Sequence, residues 1–167
     1  MIIVVIGVSG SGKTTIGSLL AKRLGYRFYE GDDFHSEEHI EKMASGIPLS
    51  DEDRAPWLLG IRNVMEQCRR SGTNAVIACS ALRQSYRSYL CDEAGDVRFV
   101  YLKGDYEVIR ERMGRRHSHF MKHTLLESQY SILEEPIDAI IVEVTERPQA
   151  IVAKIEEELL ADRWADK

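Results

Sequence analysis

Short apolar runs alternate along the chain with segments in which apolar residues recur every three or four positions. Ile2–Ile6 is an unbroken β-branched run, the pattern of a strand buried on both faces. Ile16, Leu19, Leu20 and Leu24 then fall at helical spacing, and Gly25 follows where a C-cap would stand. Arg27–Glu30 predicts a second strand. Ser50 and Asp53 have the spacing of a capping box, with the regular helix expected to start at Pro56. From there Trp57, Leu58, Ile61, Val64, Met65 and Cys68 share one face. Further strands are predicted at Ala75–Cys79 and 97–102, separated by a helix over 83–90. Helices over 105–115 and 124–133 precede a fifth strand at 139–144. A last helix carries Ile151, Ile155 and Leu159 at four-residue steps.

Strands alternating with amphipathic helices imply an α/β fold with right-handed crossovers. The expectation is one three-layer α/β/α domain over 1–167, built on a five-stranded parallel sheet. A chain of 167 residues with 44% hydrophobic and 29% charged residues suits a single globular domain. The net charge of −5 argues against a dedicated nucleic-acid partner. The opening apolar run has no positive leader and breaks at Gly7, so it does not read as a targeting signal. No stretch approaches the roughly 20 apolar residues of a membrane helix. Cys68, Cys79 and Cys91 lack C-x-x-C spacing, which suggests reduced thiols and a cytoplasmic protein.

Gly7-Val8-Ser9-Gly10-Ser11-Gly12-Lys13-Thr14 matches G-x-x-x-x-G-K-[ST] in full, between a predicted strand and a predicted helix. Glycines let the backbone wrap closely around phosphate oxygens. Successive N–H groups and the helix N-terminus then attract the anion. In this arrangement Lys13 reaches the β- and γ-phosphates of ATP, and Thr14 offers a hydroxyl to Mg²⁺. No N-K-x-D motif for guanine is present. Neither the strand ending at Ser80 nor the one ending at Lys103 supplies a terminal aspartate of the Walker B kind. A compact kinase for a small molecule remains.

Gly31-Asp32-Asp33-Phe34-His35 follows the second strand, at the carboxyl edge where open α/β sheets bind ligands. Asp32 there could orient an attacking hydroxyl, accept its proton or hold Mg²⁺ through water, and Asp33 is its neighbour. His35-Ser36-Glu37-Glu38-His39 also matches H-x-x-E-H, but five residues match easily by chance and a zinc site is not the reading adopted. Ser36 capping a short helix accounts for that stretch. Arg110, Arg112, Arg115 and Arg116 crowd a predicted helix end, as a solvated terminus or as an anion site. His117–121 suits a lid closing over ATP.

These motifs together resemble the bacterial-type gluconate kinases (gluconokinases), which share a fold group with shikimate and nucleoside-monophosphate kinases. The resemblance rests on GVSGSGKT at 7–14, GDDFH at 31–35 and EKMASGIPLSDEDRAPWL at 41–58. CSALRQSYRSYL at 79–90, VYLKGDYEVIRERM at 100–113 and HFMKHTLLESQ at 119–129 extend it over nearly the whole chain. It implies a P-loop kinase fold with a helical lid near 113–135, and phosphoryl transfer from Mg·ATP to the 6-hydroxyl of D-gluconate. By position, Lys13, Asp32, Arg112 and Arg116 become the catalytic set. Gly7 through Thr14, with Thr15, Arg112 and Pro148, bind ATP. Asp32, His35, Arg54, Ser80, Arg83 and His119 meet gluconate, and Thr14 and Asp32 hold Mg²⁺, partly through water. A homodimer is implied as well. A related kinase for another sugar acid or a shikimate-like acid, or a nucleotide-binding regulator without turnover, are the alternatives.

Overall fold

The computed structural model describes residues 1–91, 95–114 and 123–165. Five strands form one parallel sheet: β1 (Ile2–Ile6), β2 (Arg27–Glu30), β3 (Ala75–Cys79), β4 (Val97–Lys103) and β5 (Ile140–Glu143), in the spatial order β2-β3-β1-β4-β5. Pairing places Ile6 beside Cys79 on one side and beside Tyr101 on the other. Glu30 lies beside Ala78. The carboxyl ends of β1, β2 and β3 therefore share one edge, and β1 is the point where successive connections diverge to either side.

Alternate residues of each strand feed two separate cores, which is why the central runs read as continuously apolar. Ile3, Val5, Val76, Val100 and Leu102 pack with Ile16 and Leu20 of α1 (Lys13–Leu24) and with Ile151, Val152 and Ile155 of α7 (Pro148–Ala165). Ile109 of α5 (Tyr106–Gly114) and Leu126 of α6 (His123–Ile132) complete that layer. On the opposite face Ile2, Val4, Ile6, Ile77 and Phe99 meet Trp57, Ile61 and Met65 of α3 (Asp51–Ser71). Tyr86 and Leu90 of α4 (Gln84–Leu90) join them. Ile61 and Met65 are fully buried, so truncating either to alanine costs about 2–5 kcal/mol.

Local signals were kept where chemistry fixes them. Gly25 closes α1 in the left-handed conformation at φ 69°. Ser36 caps α2 (Glu37–Ala44), accepting from the His39 amide. The capping box forms with both bonds present, Ser50 N–H to Asp53 Oδ2 at 2.8 Å and Asp53 N–H to Ser50 Oγ at 3.2 Å. The expected start at Pro56 is corrected, because α3 begins at Asp51 with Pro56 inside it. A proline there forfeits only the bond to the Glu52 carbonyl, which lies on an exposed residue of the first turns.

The helix α2 contributes no buried residue and meets α3 through polar contacts to Asp53. Lys42 Nζ lies 2.5 Å from Asp53 Oδ2, and His39 Nε2 lies 3.6 Å from Asp53 Oδ1. Of the span 113–135 expected to form a lid, residues 123–132 form α6, with Leu125 and Leu126 buried.

Candidate active site

The turn from β1 to α1 is shaped by glycine. Gly10 at φ 81° and Gly12 at φ 99° occupy the left-handed region, where a side chain costs about 1–2 kcal/mol. A Cβ at Gly10 would also meet Met113 Cγ at 2.7 Å. Lys13 opens the helix, is buried, and donates from Nζ to the Val8 carbonyl at 3.0 Å. Burial pushes its pKa down, opposed by the Asp32 and Glu30 carboxylates. The Cys79 thiol, also near, adds no charge at neutral pH because its own burial raises its pKa. Ser11 Oγ is buried in this loop without a partner. A cradle of amides, a buried ammonium and an orphaned hydroxyl fits a polyphosphate.

Across from the loop, β2 ends at Glu30 and a 3₁₀ turn over Gly31–Phe34 presents Asp32 and Asp33. Thr14 Oγ1 donates to Glu30 Oε2 at 2.6 Å. The carboxylates facing the loop thus come from the end of β2 and the turn that follows it, whereas Lys103 at the end of β4 pairs with Glu135 at 2.9 Å. A hydroxyl flanked by carboxylates fits Mg²⁺, a hard cation that takes oxygen ligands and shares them with substrate phosphates. Among the described residues no three His, Cys, Asp or Glu side chains converge into a ligand set of their own.

Trp57 anchors the turn by donating from Nε1 to the Gly31 carbonyl at 2.8 Å. His35 lies flat on the Trp57 ring, centroids 4.9 Å apart and planes 6° from parallel. Its Nδ1 is buried without a partner. Burial lowers the imidazole's pKa, the Asp32 carboxylate opposes this, and His39 and Arg54 add to the lowering. His35 is therefore a neutral ring at pH 7. Arg54 donates to the Tyr86 hydroxyl at 3.1 Å and lies 3.4 Å from Asp51. Arg83 reaches the other Asp51 oxygen at 2.8 Å.

Lys13, Thr14, Thr15, Asp32, Asp33, His35, Arg54 and Ser80 all line one cleft of about 330 Å³, together with Ser9, Gly10 and Gly12. Arg83 is not part of its lining and joins Arg54 through Asp51 and the Tyr86 ring, over which both guanidiniums lie. Arg112 points elsewhere, donating to the Val144 carbonyl just before the turn that leads to Pro148. Arg110 pairs with Glu107 at 2.5 Å. Arg115, Arg116, His119 and the rest of the 117–121 segment lie outside the described residues.

Sequence reasoning missed Glu30, although its place at the last position of a strand ending on this edge is the same signal that singled out Asp32. It also missed Gln129 of α6, which lines the cleft and bonds Ser9. Nothing in the local pattern of α6 marks that residue.

Residues 9–160 match the shikimate kinase family. A probable gluconokinase of Xenopus tropicalis is 43% identical over 177 residues, covering 95% of this chain and 93% of that one. A gluconokinase of Gluconobacter oxydans is 44% identical over 136 residues, covering 81% and 76%. The crystal structure of a gluconokinase from Sinorhizobium meliloti superposes with a TM-score of 0.82 at 43% identity, covering 91% and 87%.

Proposed function

The chain belongs to the gluconokinase family, and we propose that it transfers the terminal phosphoryl group of ATP to the 6-hydroxyl of D-gluconate. The observation that carries this reading is the single cleft shared by Lys13 of the phosphate loop, the Asp32 carboxylate and the Arg54 guanidinium. Phosphates, an attacking hydroxyl and a sugar-acid carboxylate each have a matching group there.

In the proposed reaction the loop amides and Lys13 hold the β- and γ-phosphates. The added negative charge beside Lys13 counteracts the burial that lowers its pKa. Asp32 orients the 6-hydroxyl and takes its proton as the oxygen forms a bond to the γ-phosphorus. The bond from that phosphorus to the β,γ-bridging oxygen breaks, and ADP leaves with the electron pair. Thr14, Glu30 and Asp32 would hold Mg²⁺, which would neutralise negative charge on the phosphates. Neutral His35, fixed on Trp57, and Ser80 serve the acceptor's hydroxyls, and Arg54 serves its carboxylate with Arg83 behind it. Arg112 and Pro148 flank the nucleotide's base side, and Arg116 and His119 complete the lid and acceptor contacts. A homodimer in the cytoplasm belongs to the same reading.

An assay of ATP consumption against gluconate, other aldonates, shikimate and nucleoside monophosphates tests it. Gluconate should be strongly preferred. A preference for shikimate or a nucleotide would overturn the reading.

A further inference from the structure

One side chain of α6 hydrogen-bonds to the phosphate loop from far along the chain. Gln129 Oε1 accepts from the Ser9 amide at 2.6 Å, and Gln129 Nε2 donates to Ser9 Oγ at 3.0 Å. A backbone N–H can only donate, so the carboxamide's oxygen must face it and the orientation of the amide is fixed. Nε2 carries two hydrogens, and one remains without a protein partner among the described residues. Both Ser9 and Gln129 line the cleft that Lys13 and Asp32 share.

The helix that carries Gln129 is firmly seated. Leu126 is wholly buried, and Tyr130 donates its hydroxyl to the Gly104 carbonyl at 2.6 Å. Tyr106 and Tyr130 pack edge to face at 5.3 Å. The carboxamide is therefore held at both ends, by a rigid helix behind it and by Ser9 in front. Such a preorganised donor is worth more toward an anion than one that must first be ordered.

We propose that Gln129 reads the terminal phosphate, its remaining Nε2 hydrogen donating to a γ-phosphoryl oxygen of bound ATP. The inference rests on the reading that the loop holds ATP. The neutral amide matters, because it both accepts from the Ser9 amide and donates toward the cleft. A glutamate of the same shape would accept equally well, yet present negative charge to a phosphoryl group.

The test compares affinities of the full chain for ADP and for a non-hydrolysable ATP analogue, both with Mg²⁺, by calorimetry. Gln129→Glu should weaken the ATP analogue about tenfold or more relative to ADP. Gln129→Ala should narrow the preference by about tenfold, with melting temperature near wild type. Equal weakening of both nucleotides, or no change in either, overturns the inference. If Gln129→Glu does not fold, the alanine variant decides on the same ratio. Failure of the wild-type chain to bind either nucleotide would instead sink the phosphate-loop reading, so the two failures are distinguishable.

Discussion

Replacing Gly31 with alanine puts the largest strain on the cleft for the smallest chemical change. An added Cβ would lie 2.3 Å from the Ala78 carbonyl oxygen and 3.3 Å from Cys79 Cα. Both are backbone atoms of β3, so no side chain can swing aside. Ordinary contact begins at 3.4 Å, and the turn must therefore move away from β3 by about 1 Å. That turn carries Asp32, and its first carbonyl holds Trp57. Overpacking of this kind costs about 1–3 kcal/mol, which lowers Tm by roughly 2–12 °C in a chain of this size. A displacement of ~1 Å at a reacting group costs about 100-fold in rate. We therefore expect Gly31→Ala to lower kcat for gluconate phosphorylation about 100-fold while the KM for ATP changes little, since the phosphate loop is not displaced. Gly25→Ala is the control: at φ 69° with nothing within 4 Å, it strains the backbone by about 1–2 kcal/mol but lies away from the cleft. A Gly31→Ala enzyme that keeps kcat within about threefold of wild type, measured well below its Tm, would refute the argument.

Asp32→Asn should lower kcat by about 10²–10⁴-fold with little loss of ATP affinity, and a change confined to KM would make Asp32 a substrate anchor instead. Glu30→Gln should weaken binding of Mn²⁺ to the enzyme–ADP complex, read by electron paramagnetic resonance, by about 10–100-fold. An unchanged Mn²⁺ affinity would remove Glu30 from the metal's surroundings. The folded-state pKa of His35 lies below its unfolded value of 6.5, so around and below that pH the unfolded chain binds more protons. Stability conferred by the neutral ring is thus present above pH 6.5 and is lost as pH falls through the folded pKa. Denaturant unfolding between pH 7.5 and pH 5 should show wild type losing more stability than His35→Gln, and parallel profiles would contradict the assignment.

Legibility followed the distance over which each signal acts. The phosphate loop, the Ser36 cap, the Ser50–Asp53 box and the Gly25 terminus are set within a few residues, and the structure keeps them. The apolar run of Ile2–Ile6 declared burial on both faces, and all of it is buried, as is the predicted strand Ala75–Cys79. The helix starts at Asp51 and not at Pro56 because the Ser50–Asp53 box already satisfies its first amides, and a proline one turn later costs it little. What stayed hidden is long-range: His35 on Trp57, Thr14 on Glu30, and Ser9 on Gln129, the last a contact across 120 residues. Arg112 shows the same limit. Spacing placed it beside other cations, whereas the side chain donates to the Val144 carbonyl, a partner 32 residues along that only the folded chain brings near.

The strand order has a consequence for how the protein comes into being. β1 lies between β3 and β4, so the segment bearing the phosphate loop is made before both of its neighbours, residues 75–79 and 97–103. Until those residues emerge during synthesis, β1 is an unpaired, sticky strand. A nascent chain halted before β4 could display the nucleotide motif in full and still have no nucleotide site, because the motif's geometry is conferred by strands that do not yet exist.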